Sequence, residues 1–176
     1  MKLRKTNAVF SLICTVLLLG HAISLAIWML SMGNVPAAPS ALPRALTVFF
    51  VVHAIISIIL LIASHKDGSK NKGNPYLKLN APTVVQRVSG ILLIVFTWLH
   101  IAGTIGIMTP PPLIHAIVPP LFFALTLAHV AVSTTKAFVT LGIGNVTFIK
   151  RADLAIKGIC AVTLVADVIG FYLYVC

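Results

Sequence analysis

Charged residues are scarce in this 176-residue sequence. Thirteen residues are Lys or Arg, only three are acidic, and glutamate does not occur at all. Because 59% of the residues are hydrophobic, a soluble domain of this size could not cover its surface with so few charges. The mean hydropathy is +1.07. These values predict a single integral membrane domain over residues 1–176.

Cysteine is also rare, and its spacing excludes the usual thiolate sites. Cys14, Cys160 and Cys176 are scattered over apolar segments without CxxC spacing. Such cysteines are typical of small buried apolar residues, so we expect neither a zinc ribbon nor a disulfide framework. Sequence repeats and low-complexity segments are absent as well.

Long apolar runs are the dominant feature of what is present. Each run reaches the length that a helix needs to cross the hydrocarbon core of a bilayer, about 20 residues. The connections between them are rich in proline, glycine or lysine. The sequence therefore predicts an all-α membrane bundle of five transmembrane helices, with approximate spans 8–32, 45–64, 83–107, 113–141 and 154–176.

The basic residues are distributed unevenly between the two ends of these spans. Twelve of the 13 lie in or near the N-terminus, the 65–82 loop and the 142–153 loop, whereas Arg44 stands alone at the other face. Cytoplasmic loops carry the Lys/Arg excess, so we expect the N-terminus inside and the C-terminus outside. The net charge of +10 is explained by this topology and needs no nucleic acid.

Histidine is the polar residue that recurs within the spans. His65 and His115 lie beside connections and are interpreted as interfacial. The other four occupy spans one to four, one in each, away from the ends: His21, His53, His100 and His129. A small hydroxyl follows each of these at helical spacing, namely Ser24, Ser57, Thr104 and Ser133. Such residues let helices, or a flat cofactor, approach closely.

The depths of the four histidines predict two pairs. The depth of each histidine is counted from the inner end of its span. It increases from roughly 10 Å for His129, through His53 and His21, to roughly 22 Å for His100. The shallower residues can meet in the inner half and the deeper residues in the outer half. Two-histidine sites without Cys or carboxylate argue against tetrahedral zinc. Haem b, which supplies four equatorial nitrogens itself, fits each pair best.

These residues carry a resemblance to a known family. The segment from Gln86 through Gly90 to Trp98-Leu99-His100 resembles the third helix of the di-haem cytochrome b anchors of succinate dehydrogenases and fumarate reductases. The stretch from His129 to Leu141-Gly142-Ile143, followed by Lys150-Arg151, is similar to the fourth and fifth helices of that family. His21 and His53 match its first two helix histidines. The family pairs these ligands first with third and second with fourth.

The resemblance implies a function and partners. The chain would hold two haem b groups and carry electrons between an iron–sulfur subunit, docked with a flavoprotein at the inner face, and membrane quinone, without dicarboxylate chemistry of its own. A bacterial cytoplasmic membrane, with its lipid, is the expected location. Arg87 and Thr83 resemble the quinone-holding pair of related single-haem anchors, although a haem propionate or lipid phosphate is an equal alternative for Arg87.

The missing glutamates depart from the pattern of some di-haem members, in which glutamates serve quinol oxidation and proton movement. Asp167, the only acidic residue deep in a span, is our candidate for proton movement near the outer haem. Asp153 is expected to be a helix N-cap.

Two other functions remain open from the sequence alone. One is a bis-histidine membrane cytochrome b that serves another quinone-linked reductase. The other is a haem-free scaffold or transporter with the histidines as packing residues. The direction of the reaction, the quinone species and the oligomeric state do not follow from these residues.

Overall fold

The described part of the chain forms five long helices. The structure, a computed structural model, describes residues 2–36, 41–70, 81–104, 106–107 and 112–175, without the side chains of 65–70, 81, 104, 112–113, 115 and 175. The helices are α1 (Lys2–Leu30), α2 (Ala41–Lys70), α3 (Ala81–Thr104), α4 (Pro112–Leu141) and α5 (Val146–Val175). All five are long and apolar enough to cross a membrane, which confirms the predicted helical membrane protein. The side chains of His65 and His115, predicted to be interfacial, lie outside the described residues.

Two of the predicted loops are shorter than the sequence suggested. The polar segment from His65 onwards was expected to be a loop, but α2 continues to Lys70, and residues 71–80 lie outside the described part. The expected 142–153 loop is wrong beyond residue 145, because α5 already begins at Val146. Lysine and arginine are good helix formers, so a transmembrane helix can extend past the hydrocarbon into water.

The predicted N-cap of α5 is also wrong. The side-chain oxygen of Asn145 accepts a hydrogen bond from the Phe148 amide at 2.9 Å, so Asn145 caps the helix. Asp153 lies two turns further along. One of its carboxylate oxygens accepts from Thr135 Oγ1 at 2.9 Å, and the other pairs with Lys157 Nζ at 2.5 Å. Asp153 therefore ties α5 to α4.

Schellman-type ends explain where α3 and α4 stop. The Ile107 amide bonds to the Ala102 carbonyl at 2.9 Å, and the Ile143 amide bonds to the Phe138 carbonyl at 3.0 Å. Gly106 and Gly142 provide the left-handed residues that these motifs require, with φ of 75° and 73°. The third helix consequently ends at Thr104, three residues before the end that hydrophobicity alone predicted.

Hydrogen bonds between helices show an up-and-down arrangement. The start of α1 bonds to the second half of α2 through Asn7 and Ser57, and the end of α4 bonds to the start of α3 through Lys136 and Thr83. We call this the basic end of the bundle. At the opposite end, the ring of Trp28 of α1 packs against that of Tyr174 of α5 at a tilt of 51°, with ring centroids 4.5 Å apart.

Helices α1, α4 and α5 form the tightest part of the fold. Leu127, Val130 and Cys160 form a buried cluster of α4 and α5, against which leucines of α1 pack. The facing surfaces of α1 and α4 carry small or hydroxyl residues, which let helices approach in a bilayer that offers no hydrophobic force between them. Helix α3 packs on α4 and α2 packs on α1, whereas α2 and α3 make few close contacts with each other. The space between these two pairs is the candidate site.

Candidate functional site

A large cavity runs through the bundle between α1, α2, α3 and α4. Its volume is about 860 Å³, and the side chains of all four predicted histidine ligands line it. Along α2 its lining extends from Pro43 to Ser64, which is roughly 30 Å at the helical rise and close to the hydrocarbon thickness of a bilayer. The cavity therefore connects the basic end of the bundle to the opposite end.

The residues that line the cavity recur along each helix with the helical period. On α4 they recur at three- or four-residue intervals, through Thr126, His129, Ser133, Lys136 and Thr140. A histidine falls on the corresponding stripe of α1, α2 and α3. This spacing is what places one imidazole from each wall in the same space, because residues three and four apart share a helix face.

The histidines are neighbours in two pairs, within the range at which the charges of protonated rings repel each other. His21 interacts with His100, and His53 interacts with His129. These are the two pairs that the depths in the sequence suggest, while metal binding by them stays a prediction. Nδ1 of His21 and Nδ1 of His53 are buried and have no hydrogen-bond partner, although the ring of His53 lies beside the backbone of Asn7.

The surroundings of His129 fix its ring. Ser89 Oγ lies 2.9 Å from Nδ1 of His129, and its hydroxyl donates to the Val85 carbonyl at 2.6 Å. Since that proton is used, Ser89 accepts from Nδ1–H, which leaves the lone pair on Nε2 of His129. A Cβ at Gly90 would lie only 3.1 Å from Cε1 of the same ring. Ser89 and Gly90 thus set both the tautomer and the position of this imidazole.

The four hydroxyl residues that are predicted to share a helix face with a histidine differ in their hydrogen bonds and in whether they line the cavity. Ser57 lines the cavity and exchanges hydrogen bonds with the Asn7 amide at 3.2 and 3.3 Å. Ser133 lines it as well, and its Oγ is buried without a partner. Ser24 instead donates to the Gly20 carbonyl at 2.6 Å, and the side chain of Thr104 lies outside the described residues.

Among the described side chains of α5, only that of Asp167 lines the cavity. Its side chain is 1% exposed, and neither carboxylate oxygen has a hydrogen-bond partner. Helix α5 packs on the outside of α1 and α4, so Asp167 reaches the cavity past these two helices. A buried carboxylate without a partner is costly in a membrane, which makes Asp167 a functional candidate.

Arg87 and Thr83, which are predicted to hold quinone, form hydrogen bonds with different residues, and their quinone-binding role stays a prediction. Arg87 lines the cavity and donates to Ser64 Oγ at 3.3 Å. Thr83 Oγ1 instead accepts from Lys136 Nζ at 3.0 Å, and Gln86 Oε1 accepts from the same ammonium at 2.9 Å. Arg87 and Lys136 therefore lie at the basic end of the cavity, and Thr83 is hydrogen-bonded to the lysine.

Lys136 is a site residue that sequence reasoning missed. It is one of the twelve basic residues that the sequence places in or near the inner face, and the sequence predicts no role for it in a site. Its position seven residues after His129 is two helical turns along the same face of α4, and this spacing was the signal that could have found it. The same reasoning applies to Asn7, which lies fourteen residues before His21 on the lining stripe of α1.

The donor set fits a group that needs only two protein ligands. Among the described residues, no three His, Cys, Asp or Glu side chains converge to hold a metal ion. Tetrahedral zinc needs at least three protein ligands, whereas haem iron needs two axial nitrogens. The two histidine pairs, the elongated apolar cavity and the cations at its end agree with haem. No protein-family model matches this chain, and no similar chain was found among curated proteins or solved structures.

Proposed function

We propose that this protein is the membrane anchor and di-haem electron-transfer subunit of a succinate:quinone oxidoreductase, a succinate dehydrogenase or a fumarate reductase. The observation that carries the proposal is that four histidines, one from each of four spanning helices, line one cavity and interact in two pairs. Imidazole pairs at two depths would hold two haems, so that an electron crosses the membrane in shorter steps.

The residues of this chain have separate roles in the proposal. His53 and His129 hold the inner haem b, and His21 and His100 hold the outer one. Bound haem supplies one-electron chemistry at a potential that its ligands and surroundings set. Ser89 orients His129 through Nδ1, as outer-shell hydrogen bonds do for metal-binding histidines. Asp167 holds and releases a proton near the outer pair.

The charge distribution supports an orientation and a set of partners. Among the basic residues that the structure describes, Arg44 alone lies at the opposite end. An excess of Lys and Arg favours the cytoplasmic side, so the N-terminus lies inside and the C-terminus outside in a bacterial cytoplasmic membrane. The basic end then faces a flavoprotein and an iron–sulfur subunit, while quinone comes from the lipid.

Purification of the complex from native membranes tests this proposal. We expect about two b-type haems per chain, with a reduced α-band, together with flavin and iron–sulfur clusters. A colourless chain contradicts the proposal. A haem-containing chain that brings another quinone-linked reductase, and no flavoprotein with a succinate or fumarate activity, supports the alternative of a different membrane cytochrome b.

Gly90→Ala tests the close contact with His129. The added methyl group would press on the imidazole at 3.1 Å, and overpacking of this kind costs about 1–3 kcal/mol. We expect weaker haem binding or a shifted absorption spectrum at the His53–His129 pair alone. Gly103→Ala is the matched control on the same helix, because nothing lies within 4 Å of its Cβ position. Equal effects of the two substitutions would contradict the role of Gly90.

A further inference from the structure

The two histidines of the inner pair, His53 and His129, differ in how their rings are held. Ser89 Oγ lies 2.9 Å from Nδ1 of His129. Nδ1 of His53 is buried and has no hydrogen-bond partner among the described residues. A histidine that binds a metal through Nε2 almost always donates its Nδ1–H to an outer acceptor, which fixes the orientation of the ring. The residue that accepts this proton from His53 therefore decides how the inner haem is held.

The backbone of Asn7 on α1 is placed to be this acceptor. It lies beside the ring of His53, and Asn7 itself lines the cavity. Asn7 lies inside α1, so its carbonyl oxygen accepts one hydrogen bond within the helix and keeps a second lone pair. The torsion that turns an imidazole about its Cβ–Cγ bond is soft. A small rotation of the ring can therefore bring Nδ1–H of His53 to this lone pair.

Ser57 holds Asn7 from the same helix that carries His53. Ser57 lies four residues after His53 on α2, which is one turn along the same face. Its hydroxyl accepts a hydrogen bond from Nδ2 of Asn7 at 3.2 Å and donates one to Oδ1 at 3.3 Å. Both ends of the Asn7 amide are thus bonded to one hydroxyl. This contact fixes the turn of α1 that carries the carbonyl relative to the helix that carries the imidazole.

The other half of the inner pair has the same arrangement. The ring of His129 lies beside the backbone of Gln86 as well as beside Ser89. The side chain of Gln86 accepts from Lys136 Nζ at 2.9 Å, and Lys136 lies two turns after His129 on α4. On each side, an amide residue of the neighbouring helix presents its backbone to the imidazole and binds a polar residue of the histidine's own helix. This repetition argues for a role of Asn7 beyond helix packing.

We propose that Asn7, held by Ser57, is the positioning residue for His53 and that its backbone carbonyl accepts the Nδ1–H of this imidazole. The assignment rests on the proposed function and deepens it, since it states what fixes the second axial ligand of the inner haem. A hydrogen bond at Nδ1 raises the basicity of the ligating nitrogen, and a more basic ligand stabilises ferric over ferrous iron. Both imidazoles of the inner pair are then bonded through Nδ1, one to α1 and the other to α3.

Ser57→Ala tests the assignment without changing a charge or a ligand. In the purified complex we expect the low-field electron paramagnetic resonance signal of the inner haem to move, because this signal depends on the angle between the two imidazole planes. The midpoint potential of the same haem should rise. Loss of the inner haem to excess apomyoglobin should become about tenfold faster, since outer partners of metal-binding histidines contribute at least this much to affinity. The haem held by His21 and His100 is the reference in the same sample.

Matched variants separate positioning from packing. Ser57→Thr keeps the hydroxyl and should keep the signal of the parent, whereas Asn7→Leu should reproduce the effects of Ser57→Ala. Thr6→Ala removes an exposed hydroxyl beside Asn7 that donates to the Lys2 carbonyl of its own helix, so neither haem should change.

The outcomes distinguish this assignment from the proposed function. An unchanged signal and potential of the inner haem in Ser57→Ala overturn the assignment, while the two bound haems still support the proposed function. Equal changes at both haems also overturn it, because a general loosening of the bundle has that effect. A parent chain that holds no haem overturns both.

Discussion

Replacing His129 with leucine should remove one of two haem centres and leave the other. Leucine fills much of the same space but offers no ligand nitrogen, so the inner pair loses an axial bond that His53 alone cannot replace. We expect the haem content to fall from about two to about one per chain, with the loss of the corresponding part of the reduced α-band. Pyridine haemochrome analysis and redox titration of the purified complex measure both quantities.

The same substitution at other histidines provides the controls. His100→Leu should remove the other centre, so the two variants should lose components of different midpoint potential. His115→Leu, which the sequence analysis assigns to an interface rather than to a ligand pair, should keep both centres. Two intact absorbing centres in the His129→Leu complex would contradict the arrangement proposed for all four histidines, because each pair needs a ligand from α4 or α3.

Asp167→Asn should separate proton movement from electron transfer. The amide has nearly the shape of the carboxyl group but cannot hold and release a proton, and proton transfer by a positioned side chain contributes about 10²-fold or more to a rate. We expect quinone turnover to fall by about 100-fold while the haem content and spectrum stay unchanged. Steady-state turnover with a quinone analogue, with haem quantified in the same sample, is the measurement.

Asp153→Asn is the matched control for that substitution. Asp153 lies on the same helix, but its carboxylate is bonded to Lys157 and Thr135 and does not line the cavity. Turnover in this variant should stay close to that of the parent. Since the carboxylate of Asp167 has no partner to lose, Asp167→Asn should also leave thermal stability equal or higher. Unchanged turnover in Asp167→Asn would remove this residue from the proposed function.

The ends of the helices show what hydrophobicity does not predict, namely where a helix begins or ends outside the hydrocarbon. Apolar length located five spans, but it could not show that α5 starts at Val146, because the backbone hydrogen bonds of a helix form equally well outside the hydrocarbon. The signal for that start was local: Asn145 as a cap after Gly142 and Gly144 with positive φ. Asp153 resembled a cap only because the charged residues before it were interpreted as a loop.

The contacts at the basic end of the cavity show a second limit of prediction from the sequence. Arg87 and Thr83 lie one turn apart on α3, and the resemblance gives them one role, the binding of quinone. In the structure α4 supplies Lys136 between the helices, and this ammonium takes the hydroxyl of Thr83. Thr83 thus accepts a hydrogen bond from a charged residue 53 positions away in the chain. Spacing within one helix could not have predicted this contact.

The sequence by itself determined that this is a five-helix membrane protein with one histidine inside each of the first four spans, because spanning length and the cost of polar groups in lipid are properties of local composition. Only the tertiary structure decided that α5 stays outside the cavity, with Asp167 alone among its described side chains lining it, and that Lys136 and Arg87 line the same end. Helix neighbours in a bilayer are chosen by the fit of small and hydroxyl side chains between distant segments, and that fit has no signature within a single span.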